Sequence, residues 1–370
     1  MKILKFVVPV IFTLLIAVLI SPGKTNAVTI SSGICGENLT WTLDDAGNLV
    51  ISGTGPMTDY DIVDSPAPWS AHALQIKAVT IRDGVTTVGD NAFAYCQMTS
   101  VLLGNDVAEI GDSAFCSCSN LAVVEIPDSV SVIGVSAFQS CGSLERVSVG
   151  KGVSTIGEFA FSSCRKMTAL TLGENITVID NFAFQNCEKL TTVTVPESVN
   201  YLGHYAFYGC GSMNAAIVDA ETIGHHAFYN CTSLKYIIIG NGCVTIANAA
   251  FKDCTALALV TLGDNVATIG VTAFDGCTSL TTLAIPNSVS SIGNWALQTC
   301  SNLTSVCYQG TKADWNKVKI GPYNDPLSTA LHFGLAVPGD IDGDGKTDTD
   351  DAVYLLLHVM FGKEDYPLSA

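Results

Sequence analysis

The acids near the C-terminal end offer the most definite chemistry in this chain. Asp340, Asp342, Asp344, Asp348 and Asp351 fall at positions 1, 3, 5, 9 and 12 of a loop, with Gly345 at position 6. Oxygen donors at that spacing wrap one Ca²⁺, and the glycine supplies the sharp bend. Lys346, at position 7, would contribute its backbone carbonyl. Val353, Leu356, Leu357 and Met360 follow at helical spacing, and Gly362 can end the helix. With Asp350 the loop holds six aspartates, which repel one another without a cation. The spacing therefore predicts a segment whose folding is coupled to calcium binding.

A second candidate is aromatic. In a phrase that recurs along the chain, the second residue after a glycine position is usually small. Over four successive units it reads Phe159, Phe182, Tyr205 and His226. The residue after the recurring phenylalanine is Tyr208 and then Tyr229 in the last two of these units. Aromatic side chains gathered on an exposed face suggest a ligand-binding patch; the alternative is that they cover the layer beneath them. His204 and His225 share a further position, but two histidines without fixed acids would hold a metal weakly. The chain has no Gly-x-Ser-x-Gly, His-Glu-x-x-His, Walker A or dinucleotide glycine fingerprint, and Cys116-x-Cys118 lacks partners at zinc spacing. The expectation is a protein that binds and does not catalyse.

These candidates must be positioned by a repeat. Phe93, Phe115, Phe138, Phe161, Phe184, Phe207, Phe228, Phe251 and Phe274 recur about every 23 residues, with Leu297 in the tenth slot. A cysteine follows each by three residues, from Cys96 to Cys300. A fixed period in this range means one supersecondary unit stacked on copies of itself. Each unit carries an alternating apolar triplet such as Leu121, Val124 and Ile126, which reads as a strand with one buried face. Pro127, Pro196 and Pro286 end strands. Gly134, Gly157 and Gly203 are expected to open a turn into a short helical stretch holding Ala-Phe-x-x-Cys. The ten cysteines of the column read as small buried side chains in reduced form, with Cys35, Cys116, Cys243 and Cys307 outside it.

This phrase resembles the leucine-rich repeats of the bacterial surface-antigen (BspA-like) type, from about Ala78 to Tyr308. The resemblance implies an α/β repeat fold, a right-handed solenoid with a parallel β-sheet, and extracellular binding or adhesion. The calcium loop and its helix resemble the first half of a type I dockerin, which would dock the chain to a cohesin domain of a cellulosome-like scaffold. Dockerins carry two such units where one is present here. Thr349 and Asp350 replace the common small-hydroxyl pair, and Thr347 the usual aliphatic. Two readings stand: a secreted protein that binds an extracellular protein or glycan while docked by its tail, or a cell-surface adhesin without cohesin docking.

The ends complete the organisation. Lys2 and Lys5 precede an apolar run from Phe6 to Ile20, and small residues surround Ala27, so residues 1–27 read as a cleaved secretory signal. Residues 28–75 hold Leu39–Leu43, a turn at Asp45–Gly47 and Leu49–Ile51, a β-hairpin cap. The solenoid takes 76–308 in ten repeats. Residues 309–338, with Trp315, Val318, Ile320 and Leu327, form a closing cap and linker, and 339–370 the loop-helix. Cleavage would remove three lysines and take the formal charge from −17 to −20. So acidic a chain, with scattered basic residues, is not expected to bind nucleic acid or an anionic membrane, and no span is expected in the mature chain.

Overall fold

The computed structural model describes residues 27–333. Strands β1 (Thr29–Gly36), β2 (Leu39–Asp44) and β3 (Asn48–Gly53) form an antiparallel meander, one strand more than the hairpin expected. β3 then pairs in parallel with Ala78–Ile81, Leu49 opposite Val79. From there each coil adds a strand of three or four residues to one side and, after the four-residue Val85–Val88, a two-residue strand to another. In one coil these are Val123–Ile126 and Val132–Ile133, which meet Arg146–Val149 and Thr155–Ile156 of the next. The first side is divided into sheets of eight, four and three strands, and the second is a continuous twelve-stranded sheet. The sequence announces this second sheet only as an apolar pair, such as Val130 and Ile133. The whole is a parallel-sheet solenoid.

Between the sheets lies an unbroken core. The nine repeat phenylalanines are fully buried and stack face to face, centroids 5.0–5.3 Å apart and planes within 14°. That spacing is the coil rise itself, so one ring per coil fills the interior without gaps.

The segment around each phenylalanine is not helical, contrary to the expectation from its sequence. It is a run of tight turns with left-handed backbone at the second residue before and the second after most of the rings, as at Phe159 (φ 56°) and Ser163 (φ 63°) around Phe161. The reason lies in where the amides go. Phe159, Phe161 and Ser163 donate their N–H groups to Asn181, Ala183 and Gln185 of the next coil at 2.7–3.1 Å. The intervening Ala160, Ser162 and Cys164 close three-residue turns within their own coil. A helix would aim every amide along its own axis and leave none for the neighbouring coil.

The recurring glycine also has a different purpose from the one its turn position suggests. Gly134 and Gly157 are not in the left-handed region. A Cβ at Gly134 would lie 2.7 Å from the carbonyl carbon of Gly111, and one at Gly157 2.8 Å from that of Gly134. Glycine stacks on glycine because the backbones approach too closely for a side chain.

The ten column cysteines are buried and unbridged. Nine donate Sγ–H to the backbone carbonyl of the phenylalanine one coil earlier, as Cys187 does to Phe161 at 3.4 Å. Burial pushes the Cys187 thiol up to about 12, which keeps the proton this bond requires.

Both ends are closed by side chains. Trp69 stacks on Phe93 at 5.2 Å, and its indole N–H donates to the Ala92 carbonyl at 2.7 Å. At the other end Asn324 is buried; its Oδ1 accepts the Leu297 N–H at 3.0 Å and its Nδ2 donates to Gly293. Around it lie α1 (Lys312–Trp315), α2 (Pro326–Thr329) and strand Leu331–Phe333, which extends the sheet beside Ser305–Tyr308. Trp315 and Leu327 are buried and Val318 packs against them, whereas Ile320 is exposed.

Two outcomes follow for stability. Phe184→Ala removes one ring from an interior that cannot collapse along its axis, and should cost about 3–5 kcal/mol in urea unfolding. Asn324→Leu keeps the volume but strands the Leu297 amide, and should cost about 1–3 kcal/mol by the same measurement.

Candidate functional site

The aromatic residues singled out above form a second file of rings outside the core. Phe159, Phe182, Tyr205 and His226 each occupy the left-handed position two residues before the repeat ring, with φ between 56° and 58°. Because successive coils are in register, the four side chains leave the backbone in the same direction. They stack at 4.7 Å (Phe159–Phe182), 5.0 Å (Phe182–Tyr205) and 4.6 Å (Tyr205–His226), with planes within 6°. Tyr208 meets Tyr205 edge-on at 5.8 Å, and Tyr229 lies 5.4 Å from Tyr208 and 5.6 Å from His226. The structure thus brings all six expected residues together. They are half-buried, not fully exposed, because each ring covers its neighbour's face.

What the strip presents is therefore ring edges and phenolic hydroxyls, with one ring face at its N-terminal end, where the preceding rung is Ser136. Burial, then Asp253, raise the Tyr229 hydroxyl above its ordinary value, which keeps it a donor. The rings are not required to seal the core. Ala137 and Phe138 are as completely buried beside Ser136 as Ala160 and Phe161 are beside Phe159.

The strip is bordered on the C-terminal side by charge. Lys252 succeeds Tyr229 on its column and pairs with Asp275 of the following coil, whose other oxygen accepts from Thr299 at 2.5 Å. Burial alone would raise the Asp275 carboxyl, but Lys252 and Thr299 hold it below the usual carboxylate range. Beyond this pair, Trp295 and Tyr323 stack at 5.2 Å on the column of the aromatic file.

His204 and His225 lie beside the strip, three residues before Phe207 and Phe228. Their rings are 4.6 Å apart, yet they do not converge on a metal position. His204 Nδ1 accepts the His225 N–H at 2.9 Å, and His225 Nδ1 accepts the Asn248 N–H at 3.2 Å. Asp90, Asp112, Asn181 and Asn248 do the same for their own next coils at 2.7–2.9 Å. Sequence reasoning missed this role, although the column was readable as a file of side-chain acceptors. Among the described residues no three His, Cys, Asp or Glu side chains gather as metal ligands.

Phe207 and Phe228 are 21 residues apart, two fewer than the usual step, and the sequence suggests that a turn beside the patch tightens to absorb the loss. The shortening falls instead at Asp219–Glu221, between strands Ala215–Val218 and Thr222–Ile223, one sheet away from the rings. The buried Asp219 carboxylate fills that corner and accepts the Gly242 N–H at 2.7 Å. The calcium-loop residues Asp340, Asp342, Asp344, Lys346, Asp348 and Asp351 lie outside the described residues.

Asp275→Asn should lower stability at neutral pH by about 1–3 kcal/mol. A depressed carboxyl stabilises above its unfolded value near 4 and loses that contribution as pH falls through its folded value. The difference between wild type and variant in urea unfolding should therefore close below about pH 4.

Among known proteins, the family profile described as BspA type leucine-rich repeat region, in six copies, matches residues 86–214 and 221–316. No curated protein matches the chain. Similar solved structures include a leucine-rich repeat protein from Bacteroides ovatus, 23% identical over 81% of this chain and 99% of that one, with a TM-score of 0.44. A leucine-rich cell surface protein from Faecalibacterium prausnitzii is 20% identical over 79% and 98%, TM-score 0.41. A leucine-rich repeat protein from Eubacterium ventriosum is 21% identical over 73% and 95%, TM-score 0.39. Among the described residues no helix is long and apolar enough to cross a membrane.

Proposed function

Since this chain belongs to the BspA-type leucine-rich repeat family, we propose that it is an exported, non-catalytic recognition protein whose aromatic strip contacts an extracellular protein or glycan. The observation that carries this reading is the file Phe159–Phe182–Tyr205–His226, flanked by Tyr208 and Tyr229. The fold is satisfied by serine at the same rung, so the rings serve something other than the core. Ring edges with hydroxyls suit a partner that offers both apolar faces and hydrogen-bond acceptors. Export is supported by the apolar run from Phe6 to Ile20 behind Lys2 and Lys5.

The test replaces Phe182, Tyr205 and Tyr229 together by Ser and measures retention on immobilised mucin and on insoluble xylan. Binding by wild type and its loss in the triple variant, with the fold retained by circular dichroism, is the expected result. Serine already occupies the left-handed position at Ser113 and Ser136, so the backbone accepts it. Equal retention of both proteins would assign the rings to packing.

In the same reading the acidic tail binds one Ca²⁺ through Asp340, Asp342, Asp344, Asp348, Asp351 and the Lys346 carbonyl, and docks the chain to a cohesin domain. Its support is the ligand spacing in the sequence. Calorimetric titration of the full chain should show one calcium site that Asp340→Ala with Asp344→Ala abolishes. A calcium-dependent pull-down with cohesin domains then separates a docked protein from an undocked surface adhesin.

A further inference from the structure

The two histidines beside the strip do a task that neighbouring coils give to side chains that do not titrate near neutrality. Asn181 and Asn248 accept the next coil's amide through an amide oxygen, whereas His204 and His225 accept it through Nδ1. A nitrogen that accepts carries no proton, so these two bonds require Nδ1 of each ring to be unprotonated. For His204 the Tyr201 hydroxyl oxygen lies 3.2 Å from Nδ1 and 3.2 Å from Nε2. Protonation at Nδ1 would set one N–H against another and remove a coil-to-coil bond at each of two successive rungs.

From this geometry we propose that His204 and His225 form an acid-sensitive seam beside the aromatic strip. Coil pairing there, and with it the register of the Phe182–Tyr205–His226 rings, is held at neutral pH and released as pH falls. The surroundings offer little to stabilise the added charge. Around His204 stand Tyr201, His225 and Asp180, and the Asp180 carboxylate already accepts the Asn181 N–H. Facing His225 are His204 and Asn248. His226, on the adjacent column, has Tyr205, Tyr229 and the cation Lys252 for neighbours, and its own Nδ1 is buried without a partner. Burial and then His225 depress His204, against the opposing pull of Asp180; burial, His225, His204 and Lys252 depress His226.

The sign follows directly. A histidine whose folded value is lowered binds fewer protons folded than unfolded, so its stabilising contribution is complete above about pH 6.5 and declines as pH falls below that. Only the consequence for ligand retention rests on the recognition reading; the seam itself does not.

The test compares the full chain with the double variant His204→Asn, His225→Asn, which supplies the side chain already present at Asn181 and Asn248. Protection factors for the His225 and Asn248 amides are measured by hydrogen exchange at pH 7.5 and 5.5, without ligand. Wild type should lose about tenfold protection at these amides, while the variant stays within about twofold. Parallel profiles in the two proteins would overturn the seam. Nitrogen NMR of the wild-type rings gives a second reading that needs no variant: a proton on His204 Nδ1 at pH 7.5 also overturns it. Retention on mucin or xylan at both pH values separates the two readings. A seam that titrates in a protein that retains neither polymer removes the recognition reading and leaves the seam standing.

Discussion

The structure depends on one backbone constraint: the amides around each repeat phenylalanine must point along the stack. Three N–H groups per coil do so, and they can because left-handed residues alternate with right-handed ones on either side of the ring. Left-handed backbone at a residue other than glycine costs roughly 1–2 kcal/mol. The three coil-to-coil hydrogen bonds it releases are worth about 0.5–1.5 kcal/mol each, and the ring stacking adds a similar amount per pair. The terms are comparable, so the conformation is stable only when a neighbouring coil is present to receive the amides. That is why a single unit has no reason to adopt it, and why the array is cooperative.

A one-directional ladder has unlike ends. Carbonyls are left over where it begins and amides where it stops. The caps answer this polarity. Trp69 brings a donor to the carbonyl end and also continues the ring stack, and Asn324 brings an acceptor to the amide end. Neither residue is replaceable by an apolar side chain of equal volume, because what each end lacks is a hydrogen-bond partner as well as a surface. The thiol column follows the same logic in the interior. Each cysteine is apolar enough for full burial and still gives a proton to a phenylalanine carbonyl that the turns leave underused.

Much of this was readable in the residues. The period, the inward columns and the strand triplets specify a stacked solenoid, because alternation and a fixed step leave few other ways to bury Val124, Ile126, Phe138 and Cys141 together. The conformation of the Ala-Phe-x-x-Cys segment was not readable. Its spacing of apolar residues fits a helix equally well, and only the neighbouring coil decides where the amides go. The glycine column misled for a related reason: a position that looks like a turn is a point of contact between two backbones. The histidines were visible as a pair, but their role as acceptors emerges only when they are read with Asp90, Asp112, Asn181 and Asn248 on the same column.

The same distinction bears on what the outward columns mean. A position that faces the core is fixed by volume, so its identity carries information about fold. The rung two residues before each ring needs only tolerance of a left-handed backbone, and serine or asparagine meets that need at Asn91, Ser113 and Ser136. Three bulky residues in succession at this rung, Phe159, Phe182 and Tyr205, carry the larger strain that such residues suffer there, and His226 follows them. They recover part of it by stacking on one another; a file of serines would carry only the cost common to non-glycine residues there and would expose no ring edges. Ala137 and Phe138 are sealed without a ring above them, so the burial of the core does not depend on this arrangement. The departure from the repeat persists over four coils and leaves the buried core unchanged.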